Sequence, residues 1–218
     1  MRSSQTQGSR YRSTRTDTWF FLFLLGVGVS WDKLRASDKP TSFFYIMKGF
    51  MNIFYLDKRP DDAAEMHCDK HCVKMVLEYA QMLSTAHRIL DEDNAHPDLY
   101  KIAHKNHPST IWTRSSKQHY DWLFRLFRML SAEYSIRYGL INDSRDTFKV
   151  HKSWEKLGKI LETAPKNIKD NGWEDPPQCM PDDCKDDDVV RAYRNYYIQE
   201  KKSFAKWNYT MKPKWMLN

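Results

Sequence analysis

The chain has 218 residues, of which 41% are hydrophobic and 14% aromatic, a composition typical of a folded domain and not of a disordered chain. Its 7 glycines argue against glycine-rich nucleotide loops, collagen-like repeats and a turn-dense β-sandwich, and the 29% of charged residues favour helices. The formal net charge is +7, but residues 1–50 hold 8 Lys and Arg against 3 Asp and Glu. Residues 51–218 therefore carry only +2, and bulk charge says little about a nucleic-acid partner.

Residues 1–50 differ from the remainder of the chain. They begin with scattered arginines and continue with an apolar run from Trp19 to Val29. This pattern fits a secretory signal or membrane anchor, a disordered arm with an interfacial segment, or translation that starts upstream of the domain. We take Met51 as the functional start, because the sequence after it is typical of the beginning of a compact domain. The predicted organisation is a basic and apolar extension, residues 1–50, followed by a domain of residues 51–218.

Apolar residues recur at helical spacing through residues 51–218. They predict an all-α fold, a single compact domain of about four helices with long polar loops. The predicted helices cover residues 60–90, 109–138, 147–161 and 188–207, with caps at Asp61 or Asp62 for the first and at Ser109 or Thr110 for the second.

A polar stripe runs along one edge of the apolar face of the first predicted helix. It contains His67, His71, Lys74 and Glu78, spaced by four, three and four residues. Glu78 lies where the polar and apolar stripes meet, so partial burial would raise its pKa and suit it to proton transfer. A solvated glutamate explains the same position.

Two pairs, His67 with His71 and Cys68 with Cys72, have the spacing of metal ligands on one helix. The two pairs point about 100° apart, which favours buried cysteines beside histidines that face solvent. We therefore predict no metal site and no cofactor.

Four cysteines are few for a disulfide scaffold, and two of them lie four residues apart on a predicted helix. This cysteine use favours a reducing compartment, and the predicted location is the cytoplasm. For residues 51–218 we expect no stable membrane association.

Two features favour nucleic acid as a partner. The cluster His104 to Pro108, followed by Trp112 and Arg114, combines donors, an aromatic ring and a cation, as a phosphate and an unstacked base require. A capped junction between loop and helix explains the same residues. Basic strips also follow two of the predicted helices, and their residues are Arg114, Lys117, Arg125 and Arg128, then Arg191, Arg194, Lys201 and Lys202.

Several short motifs together resemble a known family. They are Asp69-Lys70-His71 with Glu78-Tyr79 seven residues later, the Pro108-Ser109 turn, Tyr120-Asp121-Trp122-Leu123, and Lys212-Pro213-Lys214-Trp215. The domain resembles the pyrimidine-dimer DNA glycosylases and abasic-site lyases of the phage endonuclease V type. The likeness is distant and spread over most of residues 51–218.

The resemblance implies a small helical DNA repair enzyme that acts as a monomer on damaged duplex DNA. The amine of Met51 would attack the sugar C1′ of a pyrimidine-dimer or abasic nucleotide and form an imine, and Glu78 would stabilise the sugar cation and move protons. The strand would then open by β-elimination. The residues that would hold the DNA are His71, Lys74, Arg88, His107, Trp112, Arg114, Tyr120 and Arg125.

Two departures from the family's pattern leave alternatives open. Asn52 hinders removal of Met51, and translation from Met1 would place the Met51 nitrogen inside the chain, so Lys70 or Lys74 is a substitute amine. The alternative functions are a metal-dependent helical hydrolase or nuclease that uses His67, His71 and Glu78, and a non-catalytic nucleic-acid-binding phage accessory protein.

Overall fold

The computed structural model describes residues 52–139 and 149–217, and within these ranges it is all-helical, as the sequence predicts, with six α-helices and no β-strand. The extension of residues 1–50 and the proposed nucleophile Met51 lie outside the described residues. The helices are α1 (Pro60–Met66), α2 (Asp69–Leu90), α3 (Pro108–Ser115), α4 (Lys117–Gly139), α5 (Lys152–Leu161) and α6 (Val189–Tyr196).

The core forms around α2 and α4. Both α1 and α2 pack against α4, while α3 and α5 cover further sides of α2. The apolar stripe of α2 is buried along its length, and so are the inner residues of α4, because both repeat at helical spacing. The segment Asn52–Leu56 has no helix or strand but is also buried, and it passes beside α2 and α6. None of the described helices is long and apolar enough to cross a membrane.

The first predicted helix is in fact two helices. His67 and Cys68 have extended backbone conformations and separate α1 from α2. The carbonyl groups that end α1 have partners from distant parts of the chain. The buried guanidinium of Arg137 donates to the oxygens of Glu65 at 2.9 Å and His67 at 2.7 Å, and the Trp207 indole donates to Met66. These bonds stabilise the break, because they satisfy carbonyls that a continuous helix would use.

The second predicted helix is also divided, at Ser116, whose backbone is extended. A loop occupies the break: the Lys117 N–H donates to the Lys169 carbonyl at 2.8 Å, and the Asn171 N–H donates to the Ser116 hydroxyl at 3.1 Å. The cap of α3 also differs from the prediction of Ser109 or Thr110. The Nδ1 of His107 accepts from the Ser109 N–H at 3.2 Å, with Pro108 in the first helical position.

The last predicted helix is shorter than residues 188–207. Its start is close to the predicted one: the Asp188 carboxylate accepts from the N–H groups of Val190 and Arg191, and α6 begins at Val189. After α6 comes one wide turn of π-helix, Tyr197–Lys201, and then the chain returns across the start of α2. Residues 163–187 form the predicted irregular segment, with one short 3-10 turn at Asp182–Cys184.

Candidate active site around Glu78

Glu78 is a buried carboxylate in the middle of α2. Burial raises its pKa above the usual value, although the neighbouring Lys74 opposes this shift. The Lys74 Nζ lies 2.9 Å from Glu78 Oε1, one helical turn away, and its side chain is 62% exposed. Glu78 Oε2 is buried and has no hydrogen-bond partner among the described residues. One oxygen of a carboxylate that protonates readily is thus left for another group.

The start of the domain lies beside this carboxylate. The backbone N–H of Asn52 lies close enough to Glu78 to lower its pKa. The Asn52 side chain is buried and fixed at both ends: its Nδ2 donates to the Cys179 carbonyl at 3.0 Å, and its Oδ1 accepts from the Tyr193 hydroxyl at 2.9 Å. The nitrogen at position 52 is therefore held rigidly at the site.

Two further basic side chains lie nearby, His104 close to Glu78 and Lys201 close to Lys74, and neither was predicted as a catalytic residue. The charge of His104 lowers the pKa of Glu78, and His104 has a left-handed backbone with φ of 47°. Such a φ is uncommon outside glycine and is often found at functional sites. Lys201 lies 4.2 Å above the Tyr196 ring, and burial together with the charge of Lys74 lowers its pKa. In the sequence, His104 was marked only by the histidine-rich loop and Lys201 only by the basic strip of the last predicted helix.

The histidines near the start of α2 face inward, which corrects the prediction that they face solvent. His67 Nδ1 donates to the Ala63 carbonyl at 2.6 Å, and its Nε2 accepts from the Tyr79 hydroxyl at 2.9 Å. The ring is fully buried, and this burial lowers the pKa of His67 to about 3. His71 stacks on Phe54 and accepts from the Tyr197 hydroxyl at 2.5 Å. Among the described residues no group of three or more His, Cys, Asp or Glu side chains is placed to hold a metal ion.

Like His71 and Lys74, three further predicted DNA-binding residues have partners within the protein. Arg88 donates to the carbonyls of the loop after α2, with the shortest distance 2.7 Å to Leu99. Tyr120 is fully buried, and its hydroxyl forms hydrogen bonds with the His87 ring and with the Leu161 carbonyl. Arg125 binds Asp61 through two nitrogens. Tyr120 is thus inaccessible to a nucleic acid, Arg88 is partly buried, and Arg125 is exposed.

The residues predicted to bind a base and a phosphate together each have a different role in the structure. His107 caps α3, and Trp112 is buried, stacked on His119 at 4.4 Å with its indole N–H on the Glu174 carbonyl. Arg114 ends α3 with a buried Nη1 that has no partner among the described residues, and burial lowers its pKa. Arg114 therefore retains capacity for an anion.

Acidic residues partly neutralise both basic strips. Asp121 binds Lys117 and Asp61 binds Arg125 on α4, while on α6 the partners are Asp186 for Arg191 and Asp57 for Arg194. The strips are therefore weaker anion-binding surfaces than their sequence indicates.

No protein-family model matches the chain, and neither a curated protein nor a solved structure matches it.

Proposed function

We propose that the domain is a DNA glycosylase and abasic-site lyase that acts on damaged duplex DNA in the cytoplasm. The observation that carries the proposal is the environment of Glu78: a buried carboxylate with one unpaired oxygen faces the Asn52 nitrogen and lies 2.9 Å from the Lys74 amine. An amine beside a carboxylic acid of raised pKa is the arrangement that imine chemistry needs. The four free cysteines agree with a reducing compartment.

The proposed reaction begins when a neutral amine attacks C1′ of the damaged nucleotide. The bond from C1′ to the base nitrogen breaks, and the base leaves with that electron pair and takes up a proton. The amine loses its proton, the sugar ring opens, and an imine forms at C1′. Removal of a C2′ proton then expels the 3′ phosphate by β-elimination, and water hydrolyses the imine to release the amine. Glu78 exchanges the protons in these steps, for which a raised pKa suits it.

Two amines are candidates for the nucleophile. A chain that begins at Met51 has its α-amino group one residue before the Asn52 nitrogen, and an α-amino group has a pKa near 8, so much of it is uncharged at neutral pH. Lys74 is the second candidate, because its Nζ is already in contact with Glu78. The two candidates differ in one testable respect: only the first requires a chain that starts at Met51.

Borohydride trapping on abasic and ultraviolet-irradiated DNA tests the proposal. The full chain and a protein that begins at Met51 are each mixed with DNA and reduced, and covalent adducts are counted. We expect trapping by the Met51-start protein and its loss after N-terminal acetylation. Trapping that survives acetylation but disappears in Lys74→Ala assigns the imine to Lys74.

Glu78→Gln and Glu155→Gln form a matched pair for the same assay. Glu155 is an exposed glutamate on α5, so its substitution should leave strand cleavage unchanged. Glu78→Gln should reduce cleavage at least a hundredfold with DNA affinity nearly intact, since general acid and base groups typically contribute that factor. Unreduced cleavage in Glu78→Gln contradicts the proposed chemistry. DNA binding without any adduct favours a non-catalytic binding protein, and cleavage that needs added divalent metal favours a hydrolase.

A further inference from the structure

An open cleft of about 570 Å³ lies on a part of the surface that the proposed reaction does not use. Three aromatic residues, Tyr55, Trp122 and Trp173, line it together with Lys58 and Asp175. Hydrogen bonds fix the rings: Asp175 Oδ1 accepts from the Tyr55 hydroxyl and the Trp173 indole, each at 3.1 Å. The Trp122 indole donates to the Lys58 carbonyl at 2.9 Å. The side chains that line the cleft are therefore held in fixed orientations.

The arrangement of the rings excludes an inserted flat ligand. Their centroids are 5.0 to 6.4 Å apart, and their planes are inclined by 36° to 55°. A nucleobase between two rings needs parallel planes about 7 Å apart, twice the contact distance of two carbons. Three rings inclined to one another instead suit a compact, rounded group. A cation in such a site can lie within about 6 Å of several centroids, the range of a cation–π contact.

The charge around the cleft favours a cation. Burial is the main cause of the raised pKa of the Tyr55 hydroxyl, and the negative charges of Asp175, Asp57 and Asp188 add to it, so three carboxylates lie near this ring. Asp170 and Glu174 belong to the same segment as Asp175, and their charges partly oppose the lowering of the His119 pKa by burial. Lys58 is the opposing positive charge in the lining. A phosphate would meet the carboxylates, whereas an ammonium group would be attracted.

The rings of this cleft also lack a covering cation of their own. Elsewhere in the protein a lysine or arginine lies over six aromatic rings, which are Tyr100, Tyr134, Tyr138, Tyr196, Phe204 and Trp215. In the described ranges no lysine or arginine lies over the ring of Tyr55, Trp122 or Trp173. Trp173 is nevertheless 40% exposed to solvent. Tyr55 itself is buried and forms the floor of the cleft, so the accessible aromatic faces are those of Trp173 and the partly exposed Trp122.

From these observations we propose that the cleft of Tyr55, Trp122, Trp173 and Asp175 is a binding site for a methylated or quaternary ammonium group. The aromatic faces attract the cation, the Asp175 carboxylate supplies the counter-charge, and the methyl groups fill the apolar space. This function is separate from the DNA chemistry at Glu78 and does not depend on it.

The test is a titration of the full chain with choline and with 3,3-dimethyl-1-butanol, which has the same shape without the charge. Binding is followed by the indole N–H signals of Trp122 and Trp173 in NMR spectra, assigned by substitution of each. We expect saturable shifts with choline and at least tenfold weaker binding of the alcohol. Equal binding of the two, or no shift with millimolar choline, overturns the proposal. Preferential binding of thymidine or deoxyadenosine overturns it in favour of a base site.

Variants that change the cleft in opposite directions sharpen the test. Trp173→Ala should remove choline binding, and Asp175→Asn, which keeps an acceptor oxygen, should weaken it about fivefold. Lys58→Gln should strengthen it, because it removes the opposing charge. Tyr209→Ala is the control, since Tyr209 is an exposed aromatic residue outside the cleft, and it should have no effect. Choline affinity unchanged in both Asp175→Asn and Lys58→Gln contradicts the electrostatic argument.

Discussion

At the scale of single residues, Glu78 combines a chemical role with a cost in stability. A glutamate whose pKa is raised on folding stabilises the native state only while it is protonated. That contribution is present below the usual pKa of glutamate and is lost as pH rises through the raised value. At neutral pH the burial of this carboxylate therefore opposes folding.

The first prediction is that Glu78→Gln increases the free energy of unfolding by about 1 kcal/mol at pH 7, since it removes a buried charge with one unpaired oxygen. At pH 4 the gain should shrink, because Glu78 is then largely protonated. Urea unfolding of the wild type, Glu78→Gln and the control Glu155→Gln at both pH values measures this. A loss of stability at pH 7 would show that the ion pair with Lys74 outweighs desolvation.

The second prediction separates two arginines with the same apparent role in the sequence. Arg114→Ala should lower the slope of log affinity for DNA against log salt by about 1, as loss of one phosphate contact does. Arg125→Ala should lower it by less than half as much, because Asp61 already neutralises Arg125. Binding to labelled duplex between 50 and 200 mM salt, a range in which phosphate contacts change affinity by orders of magnitude, provides both slopes. Equal slopes for the two variants would contradict the assignment.

The stripe on the predicted helix correctly placed Glu78 at the edge of the core, because the position depends on local periodicity alone. The neighbours of Glu78 were not predictable in this way. Asn52, His104 and Lys201 come from three other segments, and only tertiary packing brings the first two to Glu78 and Lys201 to the neighbouring Lys74. The inward orientation of His67 was missed because His67 lies in the break between α1 and α2, which depends on residues distant in sequence.

At the scale of elements, the junction between α1 and α2 is stabilised by two side chains that are distant in sequence, Arg137 and Trp207. Arg137 on α4 donates to two carbonyls of the junction and is paired with Glu133 and Asp69. Helix propensity predicts a continuous helix here, because Pro60 to Leu90 has no internal glycine or proline. The break depends on Arg137 and Trp207, which are distant in sequence, and so it could not be predicted locally.

The third prediction is that Arg137→Met lowers the free energy of unfolding by about 3–5 kcal/mol, because it leaves buried acceptors and a buried carboxylate without their partner. Arg128→Met on the exposed side of the same helix is the matched control, and it should change stability by no more than about 0.5 kcal/mol. Chemical denaturation with circular dichroism compares the two. A small effect of Arg137→Met would mean that the junction forms without these bonds.

At the scale of the whole molecule, buried neutral histidines make the fold sensitive to acid. His67 has a pKa lowered to about 3, so the unfolded chain binds a proton that the folded chain rejects. Its contribution to stability is complete above pH 6.5 and is lost as pH falls toward 3. The lowered pKa of His71 acts in the same direction.

The fourth prediction is that stability falls by about 1.4 kcal/mol per pH unit below pH 6.5 on account of His67. His67→Gln should flatten this part of the profile, because an amide can replace both hydrogen bonds and does not titrate in this range. Urea unfolding at pH 7.5, 5.5 and 4.5 gives the two slopes. Identical slopes for wild type and His67→Gln would place the acid sensitivity elsewhere in the protein.

The return of the chain across the start of α2 has a consequence for biosynthesis. The Asp69 N–H donates to the Lys206 carbonyl at 2.8 Å, and the Asp69 carboxylate accepts from the Asn208 N–H at 2.7 Å. A ribosome makes residues 206–208 long after residues 60–90, and the early helices emerge well before them. The nascent chain therefore waits with the junction of α1 and α2 incomplete until residues 206–208 have been made and have emerged.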